Sequence, residues 1–158
     1  MFELVLHHNY RAGNARDLSG NDNHGLLVQP LAAEGSQPST AALGFDGLHT
    51  RVVVFPSESL VDLGAIRFSA RLWLQDLGQR RNLLEGFLSF SLMIEEDGTL
   101  QAKVYDGTRW DGIWSPPGAV PLRRWVQVHW IYDGHDTSAL YLDEQLLARR
   151  YRPLGRVH

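Results

Sequence analysis

Apolar and polar residues alternate with period two along much of this chain, the pattern of strands that bury one face. The clearest run sets Phe68, Ala70, Leu72 and Leu74 against Ser69, Arg71, Trp73 and Gln75 in the opposite phase. Phe90, Leu92 and Ile94 repeat the alternation, and Asp97-Gly98 then punctuates a hairpin into Leu100, Ala102 and Val104. Val126, Val128, Trp130 and Tyr132 form another apolar row before Asp133-Gly134, followed by Leu140 and Leu142. Nearer the start, residues 2–8 read as a first strand, and residues 9–25 as an ordered polar loop rich in Asn, Asp, Ser and Gly. Residues 35–40 read as a second loop, 41–46 and 50–55 as short strands around Asp46-Gly47, and 56–64 as a loop with one helical turn. No segment sustains a 3.6-residue period. The fold class predicted is therefore all-β, a two-sheet antiparallel sandwich, in one domain over residues 1–158.

Composition narrows the function classes. A chain of 158 residues with 44% hydrophobic and 21% charged residues is globular and long enough to bury a core. Its net charge of −3 gives no basic footprint for nucleic acid. The arginine groups (Arg80 and Arg81; Arg123 and Arg124; Arg149, Arg150 and Arg152) fall beside turns and read as solvated rims. Without cysteine there are no disulfides, thiolate zinc sites or cysteine nucleophiles. No apolar stretch approaches the ~18 residues of a membrane-spanning helix. The N-terminal residues lack the features of a signal peptide, so a cytoplasmic protein and a module of a longer chain both remain open.

Four motifs in order resemble the laminin G-like branch of the concanavalin A-like superfamily. They are Asp17-Leu18-Ser19-Gly20-Asn21-Asp22-Asn23-His24-Gly25; Ala42-Leu43-Gly44-Phe45-Asp46-Gly47 with the strand at 50–55; Ile66-Arg67-Phe68-Ser69-Ala70-Arg71-Leu72-Trp73-Leu74; and Trp125-Val126-Gln127-Val128-His129-Trp130-Ile131-Tyr132-Asp133-Gly134 with Ala139-Leu140-Tyr141-Leu142-Asp143. The resemblance covers about residues 4 to 150 and implies a jelly-roll arrangement of the sandwich. Modules of this kind are often extracellular or at the cell surface, and often hold a structural calcium near such loops. Two departures stand out. The family's closing strand is not visible after Arg152, which would leave the segment 2–8 at an open sheet edge that another chain could complete. Glu144 also stands where the hairpin usually carries glycine, which predicts a longer turn taking in Gln145.

Candidate chemistry is sparse on the enzymatic side. Glycosidases need two carboxylates facing one cleft, and those of the resembling superfamily carry them on one strand as Glu-x-Asp-x-x-Glu, a string missing here. Glu95, Glu96 and Asp97 sit at a hairpin end and read as a solvated turn. His7 and His8 would point to opposite faces of a strand and cannot share an ion; His24 reads as a backbone hydrogen-bonding partner. Calcium, which takes six to eight oxygens, is the one metal the polar loop suits, with Asp17 and Asn21 as its expected ligands. The alternative is an Asx-rich turn bonded to itself. Arg71, Trp73, Gln101, Lys103, Tyr105, Gln127, His129 and Tyr141 share the phase opposite the apolar rows, and Trp110 and Trp114 follow nearby. Aromatic planes beside amides and charges suit sugar recognition, although the same rings could complete packing between sheets. The expected function is a non-catalytic recognition module for a glycan or protein, with Trp73, Tyr105, Arg109, Trp110, Trp114, His129 and Tyr141 as ligand-binding residues. The alternative is an assembly subunit whose open edge another chain, or a second copy, completes.

Overall fold

The computed structural model describes residues 3–38 and 40–152. The chain divides into two units, Met1–Val61 and Asp62–His158. In the first unit, β1 (Gly25–Val28), β2 (Leu31–Glu34), β3 (Ala41–Gly44) and β4 (Arg51–Val54) make two antiparallel ribbons, β1 with β4 and β2 with β3. A Cβ on Gly25 would overlap Val52 and stand 2.8 Å from the Cβ of Ala15, so glycine lets this backbone pass. Residues 58–60 form the single helical turn expected within 56–64, of the 3-10 kind.

The expected first strand does not form over residues 3–8. Its backbone is bonded to the polar loop instead. The His7 N–H donates to Asp17 Oδ1 at 2.8 Å, and the His7 carbonyl accepts from the Leu18 N–H at 2.9 Å. Side chains that satisfy backbone groups locally remove the reason to join a ladder. The open edge predicted at this segment is therefore not there among the described residues.

The second unit is a sandwich. Its strands are β5 (Ile66–Trp73), β6 (Arg81–Gly86), β7 (Phe90–Ile94), β8 (Leu100–Tyr105), β9 (Trp110–Trp114), β10 (Trp125–Tyr132), β11 (Thr137–Leu142) and β12 (Gln145–Tyr151). One sheet has the order β12-β11-β10-β5, the other β6-β7-β8-β9, and neighbours are antiparallel throughout. The chain leaves the first sheet after β5, completes a four-strand meander, and returns at β10. The all-β antiparallel sandwich predicted from the alternation is what the chain forms.

Alternation decides the core. Along β10, Val126, Val128, Trp130 and Tyr132 are buried, while the residues between them are half-buried. They share one interior with Leu140 and Leu142 and with Leu92, Ile94, Leu100, Ala102 and Val104 of the other sheet; Phe68 and Leu72 pack against it. Burying each such large side chain stabilises by about 1.5–3 kcal/mol. Trp130 keeps its indole satisfied by donating to Ser138 Oγ at 3.0 Å.

The β11–β12 turn is not lengthened: Leu142 pairs with Gln145, and both Asp143 and Glu144 have positive φ (45° and 70°). Asp143 supports the tight turn by accepting from the Gln127 N–H at 2.7 Å, with Arg124 3.1 Å from its other oxygen. Asp111 of β9 is buried and meets β12 and the residue after it. Arg150 Nη1 lies 2.8 Å from Oδ1 and also donates to the Gly112 carbonyl; Arg152 Nη1 lies 2.6 Å from Oδ2, an ion contact whose angle falls short of a hydrogen bond. This clamp joins the two sheets at one end.

Candidate functional site

Since the two sheets share one core, the other phase of each points outward on opposite sides of the second unit. The seven expected ligand-binding residues therefore separate. Trp73, His129 and Tyr141 lie on the outer face of β5, β10 and β11, whereas Tyr105, Arg109, Trp110 and Trp114 belong to the β8–β9 hairpin. The sequence points to one polar-aromatic face where there are two. Period two tells which side chains share a phase, not which sheet a strand joins.

On the β8–β9 face the register sets Gln101 opposite Trp114, Lys103 opposite Gly112 and Tyr105 opposite Trp110. Trp110 is 41% and Trp114 48% exposed. They stand four residues apart on one face, about 13 Å by strand rise. Tyr105 packs against Trp110 with ring centroids 5.4 Å apart. Gly112, between the indoles, carries no signal in the sequence that marks it as part of a site. A Cβ there would stand 2.8 Å from the Ala102 carbonyl oxygen and 3.3 Å from Trp114 Cη2. No side chain rises from β9 between the two rings, and the Trp114 ring leans back over Gly112. Beside Trp114, Gln101 is buried and its Oε1 has no hydrogen-bond partner among the described residues. An unpaired buried acceptor costs about 1–3 kcal/mol. Arg109 is held at the rim, its Nε 3.5 Å from Asp106 Oδ2. Asp106 itself closes the hairpin by accepting from the Arg109 and Thr108 N–H groups, which hold its pKa below the ordinary carboxylate range.

The opposite face is differently built. Trp73 and Trp125 are cross-strand partners in edge contact, ring centroids 6.1 Å apart, and Trp73 Nε1 donates to Gln75 Oε1 at 3.2 Å. His129 lies between Ser69 and Tyr141 in one cross-strand row. Gln127 Nε2 donates to Ser69 Oγ at 2.5 Å, and the Tyr141 hydroxyl accepts from Arg149 Nη2 at 3.2 Å.

The polar loop of the first unit is bonded to itself. Asp17 is buried, and its two oxygens accept from the His7, Ser19 and Asn23 N–H groups and from the Ser19 hydroxyl, at 2.7 to 3.0 Å. Burial pushes its pKa up, but the Ser19 hydroxyl and these N–H groups together pull it well below the usual carboxylate range. Four donors occupy the four lone-pair positions of a carboxylate. Asn21 turns its amide nitrogen to the Leu4 carbonyl and Ser19 Oγ. The expected calcium ligands thus present an oxygen already surrounded by donors and an N–H, a set that does not fit calcium. Asn23 ties the loop onward, donating to the Val5 carbonyl at 2.6 Å and accepting from Ser57 Oγ at 2.5 Å. His24 Nδ1 accepts from the Asp17 N–H at 3.0 Å, the backbone role expected of it. Asp97 likewise accepts from the Thr99 N–H within its turn.

No family model and no curated protein sequence matches the chain. Among solved structures it is similar to the binding domain of botulinum neurotoxin DC in complex with rat synaptotagmin II, with a TM-score of 0.65 and 13% identity over 99% of this chain. The chain spans 41% of that neighbour's length. At this identity the likeness is one of fold, and the chain belongs by architecture among all-β antiparallel sandwiches.

Proposed function

We propose that this chain is a non-catalytic recognition module of the concanavalin A-like kind, and that the β8–β9 face binds a neutral glycan. The observation that carries this reading is the pair of half-exposed indoles of Trp110 and Trp114 flanking Gly112. Pyranose C–H faces pack against such rings, and hydroxyls need polar partners between them. Lys103, opposite Gly112 in the adjacent strand, supplies a donor beside the rings. The neighbour of similar fold is itself described as a binding domain solved with a protein partner, so a protein ligand is the competing occupant. Asp17, Asp46, Asp97, Asp106 and Asp133 accept from backbone N–H groups of their own loops, which lower their pKa values and commit these five to turns.

The test is binding to an array of neutral oligosaccharides by the intact chain and by Trp110→Ala and Trp114→Ala. Retained sugars should be lost at least tenfold in both variants, with far-ultraviolet circular dichroism unchanged. Binding of no neutral sugar, or binding indifferent to both substitutions, would remove the reading. A dimer in size-exclusion runs would instead favour the assembly alternative.

A further inference from the structure

The outer face of β5, β10, β11 and β12 carries a different chemistry. Arg67 and Arg71 project from β5 and Arg149 from β12, all three exposed. The register puts Arg67, Ile131, Ala139 and Arg149 in one cross-strand row, and Arg71 beside Gln127 four residues along. Arg67 and Arg71 are therefore about 13 Å apart along the strand, and Arg67 and Arg149 about 14 Å apart across four strands. Between these corners lie Ser69, Gln127, His129 and Tyr141, which offer hydroxyl, amide and imidazole groups.

Most arginines elsewhere in the unit are ion-paired; Arg80 and Arg123, single residues in loops, are the exceptions among those described. Arg81 stands against Asp76, Arg109 against Asp106, and Arg150 and Arg152 against Asp111. Among the described residues no carboxylate oxygen lies within 4.0 Å of Arg67, Arg71 or Arg149. Arg149 is instead held by two phenols, its Nη2 donating to Tyr141 and its Nη1 to Tyr151 at 3.4 Å, which fix the guanidinium without neutralising it. The carboxylates bordering the face include Asp143, already paired with Arg124, Glu144 in the turn, and Asp133 beyond the Arg67 row, which is held by the N–H groups of its own turn. A chain of net charge −3 thus gathers three uncompensated guanidiniums on one sheet face.

From this charge pattern we infer that the face is a second binding site, for an acidic polysaccharide. Its carboxylate or sulfate groups would pair with Arg67, Arg71 and Arg149, and its hydroxyls would meet the polar groups between them. A lipid headgroup surface fits less well. The hydrogen-bonding groups occupy the centre of the face and the exposed aromatics Trp73 and Tyr151 its margins, while an interfacial surface needs apolar side chains foremost.

The experiment is retention of the intact chain on immobilised dextran sulfate and on polygalacturonate, with neutral dextran as control. It is repeated for the double variant Arg67→Gln/Arg71→Gln and for Trp110→Ala/Trp114→Ala, each checked by thermal unfolding. The chain should bind one or both acidic polymers and not dextran, more weakly as salt rises. The arginine variant should lose at least tenfold in affinity, and the tryptophan variant less than twofold. Failure to bind either acidic polymer, or an arginine variant within twofold of the parent, overturns the inference. So does equal or tighter binding to phosphatidylserine vesicles or duplex DNA, which would make the face a general anion surface. The neutral-glycan reading stands or falls on Trp110 and Trp114, so the two proposals fail separately.

Discussion

Asp143 and Glu144 both occupy the left-handed region, where a side chain other than glycine is strained by roughly 1–2 kcal/mol. Asp143 is compensated by its bonds to Gln127 and Arg124, whereas Glu144 is exposed and no hydrogen bond or ion pair among the described residues involves it. Glu144→Gly should therefore raise stability by about 0.5–1 kcal/mol, the relief of strain less the extra entropy of an unfolded glycine. A urea titration checks this, and a lower midpoint would show that the glutamate makes a contact worth more than its strain. At this scale much was legible. The Asp-Ser-Asn-Asn-His composition of the polar loop does form a self-bonded turn, whereas the longer turn expected from Glu144 does not form, because Glu144 takes the left-handed conformation itself. What could not be read was Gly112. A glycine in a strand looks the same whether it marks a bulge, a weak spot or, as at Gly112, a close approach of neighbouring groups, and only the packing around it decides.

Elements with clean alternation were legible as strands: β5, β7, β8, β10 and β11. Those missed have a physical reason. The ladder between β6 and β7 shifts register between Asn82 and Leu84, and that between β11 and β12 shifts at Leu140/Tyr141. A bulge adds a residue to one strand and so breaks period two where the eye looks for it. β9 is short and glycine-centred, and its role as partner of β8 comes from pairing alone. The link between β9 and β12 is the Asp111 clamp. Asp111→Asn would leave Arg150 and Arg152, each about a third exposed, without their counter-charge. The loss should be about 2 kcal/mol, below the range for fully buried pairs because water still reaches the guanidiniums. Chemical denaturation measures it. An unchanged midpoint would mean the clamp adds nothing to the stability of the sandwich.

For the molecule as a whole, the pH dependence of stability comes from the lowered aspartates. Each folded carboxylate has a lower pKa than the same group unfolded, so on acidification the unfolded chain takes up protons first. Their contribution is full well above the ordinary aspartate value of 3.8 and is lost as pH falls below it. At the alkaline end, burial first, and then Asp133 and Asp136, push the Tyr132 phenol to about 12 from its ordinary 10.0. The unfolded tyrosine ionises first, so stability declines as pH rises through 10.0 toward 12. Urea midpoints measured from pH 2.5 to 11 should show a plateau between these limits (roughly pH 5 to 9). A midpoint that held constant to pH 2.5 would contradict the role given to the aspartate turns. By itself the sequence determined the all-β class, most of the strands that form the second unit's core, and the self-bonded polar loop, because each depends on near neighbours along the chain. The sheet to which each strand belongs was decided only by tertiary pairing, and with it the separation of the aromatic residues into two opposite faces. Side chains of equal phase look alike in a sequence until a core exists for them to turn away from.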